Sequence, residues 1–362
     1  MDIRDGLIEA VRETQSSEQL YVAAGLVDLQ VNGFGGIDFN AAGTSSALVS
    51  EVARKLAGFG TTTFLPTLIT ASESSIVAAL KTIAAARKND PVVAHMVPFV
   101  HVEGPSISAS DGPRGAHPRE HVRPPELAEF ERWQAASSDL VGMVTLSPHF
   151  SDAPGFIAAL VALHIRVSIG HTDASAAEIR AAVDAGAELS THLGNGAAAT
   201  LPRHPNFIWT QLADDRLTAT FIADGHHLPA DTFKVMLRAK GIGRAVLVSD
   251  SAALAGMPPG TYNQPIGGRV ELSSDGRLSM AGTQYLAGAA RTLADDVAIA
   301  IGLGGLSLAD ALSMASRNPG RFAAGRGRLE PGAPADLIRF AWQPGDRTLH
   351  IETTLIGGED IR

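Results

Sequence analysis

Apolar positions follow two rhythms along this chain. Eight short runs are apolar almost throughout: GLVDLQV (25–31), TTTFLP (61–66), AHMVPFVHV (94–102), VGMVTLS (141–147), RVSIGH (166–171), ELSTHL (188–193), LTATFIAD (217–224) and RAVLVSD (244–250). Short runs without strict alternation predict strands buried on both faces, as in a parallel sheet. Between them, SSALVSEVARKLAGFG, SESSIVAALKTIAAARK and DASAAEIRAAVDAG place apolar residues three and four apart, which predicts amphipathic helices. In the last of these an Asp or Thr stands ahead as the cap, and Gly186 follows the end.

Strands alternating with helices eight times over predict an α/β protein of TIM type, a (β/α)8 barrel. The competing fold is an open doubly wound sheet, which carries G-x-G-x-x-G after its first strand; VNGFGGIDF lacks that spacing. Beyond the eighth strand, RVELSSDGRLSM alternates around Asp275 and Gly276 and reads as a hairpin. Helical spacing returns in AGAARTLADDVAIAIGLG and SLADALSMASRNPGRFA, and the chain then turns strand-like and rich in turns. The expected organisation is a barrel over residues 23–325 with a small β appendage formed by the termini, 1–22 and 326–362. No internal repeat is visible.

Composition narrows the chemistry. With 362 residues, 45% hydrophobic and 19% charged, the chain can bury a large core. Its first 25 residues hold no apolar run of signal-peptide length, and no stretch approaches the roughly 20 uncharged apolar residues of a spanning helix, so a soluble cytoplasmic protein is expected, with no membrane partner. The absence of cysteine removes disulfides and thiolate metal sites, leaving His, Asp and Glu for any metal. A net charge of −9 argues against a nucleic-acid partner, while leaving room for a local arginine that holds one phosphate.

In such a barrel functional groups collect at the C-terminal strand ends. Glu103 ends the third strand, His171 the fifth and Asp250 the eighth, and His192 lies near the end of the sixth. Taken singly each has a plain alternative: a strand-end histidine that packs or hydrogen-bonds, a Glu103 that caps a turn, an Asp250 that caps a helix. Converging on one mouth, two imidazoles and a carboxylate suit zinc with a position left open for water, whose pKa the ion lowers to about 7. Asp250 is then the nearby base and acid.

GLVDLQVNG, HVEGP followed by GAH, IGHT, THLGN, IADGHH, LVSD and LAGAA occur in the order found in N-acetylglucosamine-6-phosphate deacetylases of the amidohydrolase superfamily, and the chain resembles that family from residue 25 to Leu337. The resemblance implies a catalytic divalent ion on Glu103, His171 and His192, zinc first, with iron, manganese or cobalt as alternatives. It implies that Asp250 accepts and donates the proton, and that His227 touches the substrate and polarises the acyl carbonyl. His226 is expected to point elsewhere. Ala116, His117, Asn195, Gly196 and the stretch Leu286, Ala287, Gly288 correspond to substrate-contacting positions. Arg203 falls where the family has an arginine for the sugar phosphate, often supplied across a homodimer, and its planar fork suits a phosphate dianion. The implied partner is a small amino-sugar phosphate.

Three features depart from the pattern. Gln30 and Asn32 stand where many amidohydrolases carry a His-x-His pair, so one metal is expected instead of two. Gly194 and Gly196 in HLGNGA replace bulkier residues, which alters the pocket wall. Arg291 replaces an apolar residue, and either an i+4 pair with Asp295 or a ligand contact would suit it. With these changes, another N-acyl amine or a cyclic amide is the alternative substrate, and a catalytically silent binding barrel the alternative role.

Overall fold

Eight parallel strands lie in one sheet in chain order: β1 Leu26–Val31, β2 Thr61–Ile69, β3 Val100–Glu103, β4 Val141–Leu146, β5 Arg166–Ile169, β6 Leu189–Ser190, β7 Thr218–Phe221 and β8 Ala245–Leu247. The computed structural model describes residues 1–12, 20–264, 268–283 and 286–361. At the seam between β1 and β8, Val31 bridges Ser251, and the amides of Asn32 and Gly33 donate to the Ser251 carbonyl at 2.9 and 3.2 Å. Ser249 N–H also donates to Asp28 Oδ1 at 3.2 Å across this seam. The sheet is thus drawn into a barrel, as the alternating pattern predicts.

Every residue of β1, β3, β7 and β8 is buried, which explains why their sequences read as unbroken runs. Inside, Val27, Leu29, Leu65, Met143, Leu189 and Val246 form one cluster with Phe322. Outside, larger clusters weld the strands to their helices, and each fully buried aliphatic or aromatic side chain there contributes about 1.5–3 kcal/mol.

Two local readings are corrected. The run 94–102 is a strand only from Val100, because Pro91–Met96 is a short helix: Asp90 accepts from Val92 N–H at 3.0 Å, proline stands in the first turn, and Val93 and Met96 are buried. The helix Ala176–Asp184 is capped by Ser175, which forms a capping box with Glu178, and not by the preceding Asp or Thr.

The appendage is a four-stranded antiparallel sheet in which Tyr21–Ala24 pairs with Leu337–Ala341, followed by His350–Ile356 and Glu359–Asp360. Asp2–Arg4 and Leu7–Ala10 form a separate hairpin, and residues 13–19 of the expected N-terminal part lie outside the described residues. The appendage strand runs past residue 22, and the chain enters the barrel at Gly25, where a Cβ would stand 2.1 Å from Thr62 Oγ1. Asp336 docks the appendage by accepting from Arg326 Nη1 at 2.9 Å and Gly357 N–H at 2.8 Å and by pairing with His95 Nε2 at 2.7 Å.

After β8 comes a three-stranded antiparallel sheet, Gly260–Gln264, Gly268–Leu272 and Leu278–Met280. Its turn holds Asp275 and Gly276, as the alternation predicts, and Gly276 sits at φ +83°. This sheet packs through its own small cluster of Leu254, Val270, Leu272 and Leu278. Among the described residues no helix is long and apolar enough to cross a membrane.

Candidate active site

Glu103 is the last residue of β3; His171 lies two residues beyond β5, His192 two beyond β6, and Asp250 three beyond β8. His171, His192 and Asp250 all have left-handed backbones, at φ 48°, 28° and 48°. This conformation is uncommon for residues with a Cβ, and such strain concentrates at functional sites. Here it is held by hydrogen bonds: His192 N–H donates to Thr220 Oγ1 at 2.7 Å, and the His171 carbonyl accepts from Ser108 N–H at 2.9 Å.

The result is a tight buried trio. Glu103 Oε1 stands 3.2 Å from His171 Nε2 and 3.1 Å from His192 Nε2, and the two Nε2 atoms are 3.1 Å apart. One ligand atom from each lies within 4.8 Å of the others, a grouping that could hold a metal ion. His171 Nδ1 lies 2.8 Å from the Pro113 carbonyl, which can only accept, so Nδ1 carries a proton and Nε2 is the ring atom that faces the trio. His192 Nδ1 is buried without a partner. Burial disfavours the Glu103 charge, but the bonds and charges of His171 and His192 outweigh it and hold the carboxyl well below the usual range. Burial likewise pulls His192 down, while Glu103 raises it beyond that loss.

The two residues standing in place of the His-x-His pair brace the two carboxylates of the site. Gln30 Nε2 donates to Glu103 Oε1 at 3.0 Å, and Asn32 Nδ2 donates to Asp250 Oδ1 at 2.8 Å. Both act as amide donors to carboxylates. Burial, then the neighbouring Glu103 charge, raises the Asp250 carboxyl to about 6. No helix begins at Asp250, so it is not a helix cap.

Opposite, His227 Nδ1 lies 2.7 Å from Asp224 Oδ2, while the amides of His226 and His227 donate to Asp224 Oδ1 at 2.8 and 2.9 Å. Burial opposes the Asp224 charge, yet the His227 bond and these amides lower its pKa to about 2. Sequence reasoning missed Asp224, whose only signal was its place three residues ahead of His227 in IADGHH. His226 points away, its Nε2 donating to the Asp275 carbonyl at 3.1 Å.

These groups open into a cavity of about 380 Å³. Ala116, His117, Asn195, Gly196, Leu286, Ala287 and Gly288 all line it, as do Asp250 and His227. His117 is kept neutral, pushed down to about 3 by burial and by His171; its Nδ1 lies 2.8 Å from Thr70 Oγ1. Gly196, at φ +56°, leaves room for the trio, since a Cβ there would stand 2.9 Å from His171 Nδ1. Gly194 packs on Leu228 and Met236 and does not line the cavity. Gln264, Val270 and Leu278 of the three-stranded sheet form one wall.

Two arginines stand outside. Arg203 is exposed, seven residues past Gly196 and beyond the cavity lining, which contains no lysine or arginine among the described residues. Arg291 is also outside the lining, and Asp295 is already used in a capping box with Thr292. Arg291 Nη2 instead donates to the Asp275 carbonyl, and no pair with Asp295 forms among the described contacts.

A profile of the amidohydrolase family matches residues 21–360. The chain is 33% identical to the N-acetylgalactosamine-6-phosphate deacetylase of Escherichia coli O157:H7, over 99% of this chain and 93% of that one. It is 34% identical to the human N-acetylglucosamine-6-phosphate deacetylase, over 93% of this chain and 82% of that one. Among solved structures, the N-acetyl-D-glucosamine-6-phosphate deacetylase of Mycobacterium smegmatis, a variant in complex with N-acetyl-D-glucosamine-6-phosphate, superposes with a TM-score of 0.86 at 29% identity, covering 99% of this chain and 93% of that one. The Thermotoga maritima N-acetylglucosamine-6-phosphate deacetylase gives 0.86 at 26% identity, covering 100% and 94%.

Proposed function

We propose, for a chain that belongs to the amidohydrolase family, that it hydrolyses the N-acetyl group of an amino-sugar phosphate, N-acetylglucosamine 6-phosphate first, to the free amine and acetate. The observation that carries this reading is the buried Glu103, His171 and His192 trio facing Asp250 and His227 across one cavity. The trio suits a single divalent ion, zinc by its donor set, with iron, manganese or cobalt as alternatives: His171 turns its Nε2 inward, and Gln30 already occupies part of Glu103. When bound, such an ion supplies Lewis acidity that polarises the acyl carbonyl and eases deprotonation of the attacking water.

The remaining work falls to the chain. Asp250, oriented by Asn32, takes the proton as the water oxygen bonds to the acyl carbon, then returns it to the nitrogen as the carbon–nitrogen bond breaks. Its carboxyl, raised to about 6, is matched to moving a proton both ways near neutral pH. His227, oriented by the contact of its Nδ1 with Asp224 Oδ2, is the side chain that stabilises the oxygen where negative charge develops. His117, Ala116, Asn195, Gly196 and Leu286, Ala287 and Gly288 enclose the sugar and its acyl group.

A phosphate suits a cationic partner, and among the described residues the cavity lining holds no lysine or arginine. The exposed Arg203 supports a homodimer in which each chain's Arg203 reaches the substrate phosphate of the other, and the enzyme acts in the cytoplasm. The test is acetate release from N-acetylglucosamine 6-phosphate, its galacto epimer and both unphosphorylated sugars. The expected result is turnover of the phosphates and little of the free sugars; indifference to the phosphate would sink the Arg203 assignment, and no acetate from either phosphate would sink the substrate reading. The galacto epimer is the second reading, favoured by the E. coli relative that aligns over 99% of this chain.

A further inference from the structure

The three-stranded sheet that forms one wall of the cavity is held differently from the rest of the mouth. Gln264, Val270 and Leu278 face the cavity, yet the sheet packs through its own apolar cluster, separate from those of the barrel. Two side chains from outside it grasp its turn. Arg291, just ahead of the helix Leu293–Gly304, donates from Nη2 to the Asp275 carbonyl; His226, next to His227, donates from Nε2 to the same oxygen at 3.1 Å. The Asp275 carboxylate also lies 4.0 Å from His226 Nε2. Gly276 lies under the guanidinium, and a Cβ there would stand 3.1 Å from its carbon.

We propose that Arg291 and His226 are positioning residues which, by sharing the Asp275 carbonyl, hold this sheet against the mouth so that Val270, Leu278 and Gln264 form a fixed wall for the bound sugar. They touch no reacting atom; their effect is on substrate affinity and not on the chemical step. A carbonyl carries two lone pairs and can accept both donors, and a charged donor makes the stronger of the two bonds. The tie also links the wall to the loop bearing His227, since Asp224 fixes the His226 and His227 amides together. The inference rests on the proposed reaction only for its kinetic readout.

The test compares Arg291→Leu, Arg291→Lys and His226→Ala with the unmodified enzyme, in turnover of N-acetylglucosamine 6-phosphate and in hydrogen exchange of the amides of residues 268–280. Arg291→Leu should raise KM about tenfold, the effect of one charge-assisted hydrogen bond, with kcat within about twofold. His226→Ala should shift KM the same way by less, and Arg291→Lys, which keeps a donor, should recover part of the loss. Exchange in the hairpin should quicken in Arg291→Leu while that of β1–β8 stays unchanged. Unchanged KM and unchanged hairpin exchange in both Arg291→Leu and His226→Ala would overturn the proposal, as would a fall in kcat at constant KM. If the unmodified enzyme releases no acetate, the substrate reading has failed, and hairpin exchange alone still decides the clamp.

Discussion

The floor of the cavity and its wall are built to different standards. On the floor, Glu103, His171 and His192 are buried, and each is fixed by at least one bond to a neighbouring strand or loop: Gln30 on Glu103, the Pro113 carbonyl on His171, the Thr220 hydroxyl on His192. The wall is a hairpin on a small cluster of its own, tied at its turn by Arg291 and His226. The trio sits where packing leaves little freedom, while the wall rests on a module that packs separately from the barrel.

The floor breaks most completely at Glu103. Glu103→Ala removes the only carboxylate of the trio, so bound metal should fall to background and turnover by at least about 10³-fold, measured by metal analysis alongside acetate release. Retained metal would mean the ion sits elsewhere. Asp224→Asn should keep the metal, because Asp224 touches His227 and none of the trio, and should lower kcat on the order of 10- to 100-fold by loosening the hold on His227. Equal kcat in that variant would remove His227 from the reaction.

The barrel seam offers a stability test that the wall should not feel. Burial raises the Asp28 carboxyl from the ordinary aspartate range to about 7, so the folded protein binds a proton that the unfolded chain releases. Stability from this group is therefore greatest below about pH 4 and declines as pH rises toward 7. Asp28→Asn should match the unmodified protein at pH 4 and exceed it at pH 8, by at most roughly 4 kcal/mol, in paired denaturant melts. A difference that does not change with pH would contradict the assigned cause. Smallest is the wall itself: Leu272→Ala removes about 2–5 kcal/mol of local packing, which should speed exchange across the hairpin while the global melting temperature moves little. A global drop of that size would mean that wall and barrel share one core.

Most of the barrel was legible because buried parallel strands leave unbroken apolar runs, as β1 and β7 do. The run before β3 misled because a short apolar stretch has no period of its own, and the helix Pro91–Met96 depends on the Asp90 cap. Glu103, His171, His192 and Asp250 could be found because their positions at strand ends follow from chain order. What held them could not. The left-handed backbones of His171, His192 and Asp250 carry no residue signature when glycine is absent, and the Pro113 and Asp275 carbonyls are backbone acceptors that any residue supplies. Arg291 was visible as an oddity, but its partner lies 16 residues back, in a turn that only the fold brings to it.

The central claim, that Asp250 shuttles the proton for a metal-dependent deacetylation, is tested most directly by measuring metal content and acetate release together in the unmodified enzyme and in Asp250→Asn. The prediction is equal metal in both, ready release of acetate from N-acetylglucosamine 6-phosphate by the first, and a loss of about 10²–10⁴-fold in the second. Undiminished release by Asp250→Asn at equal metal content would contradict it.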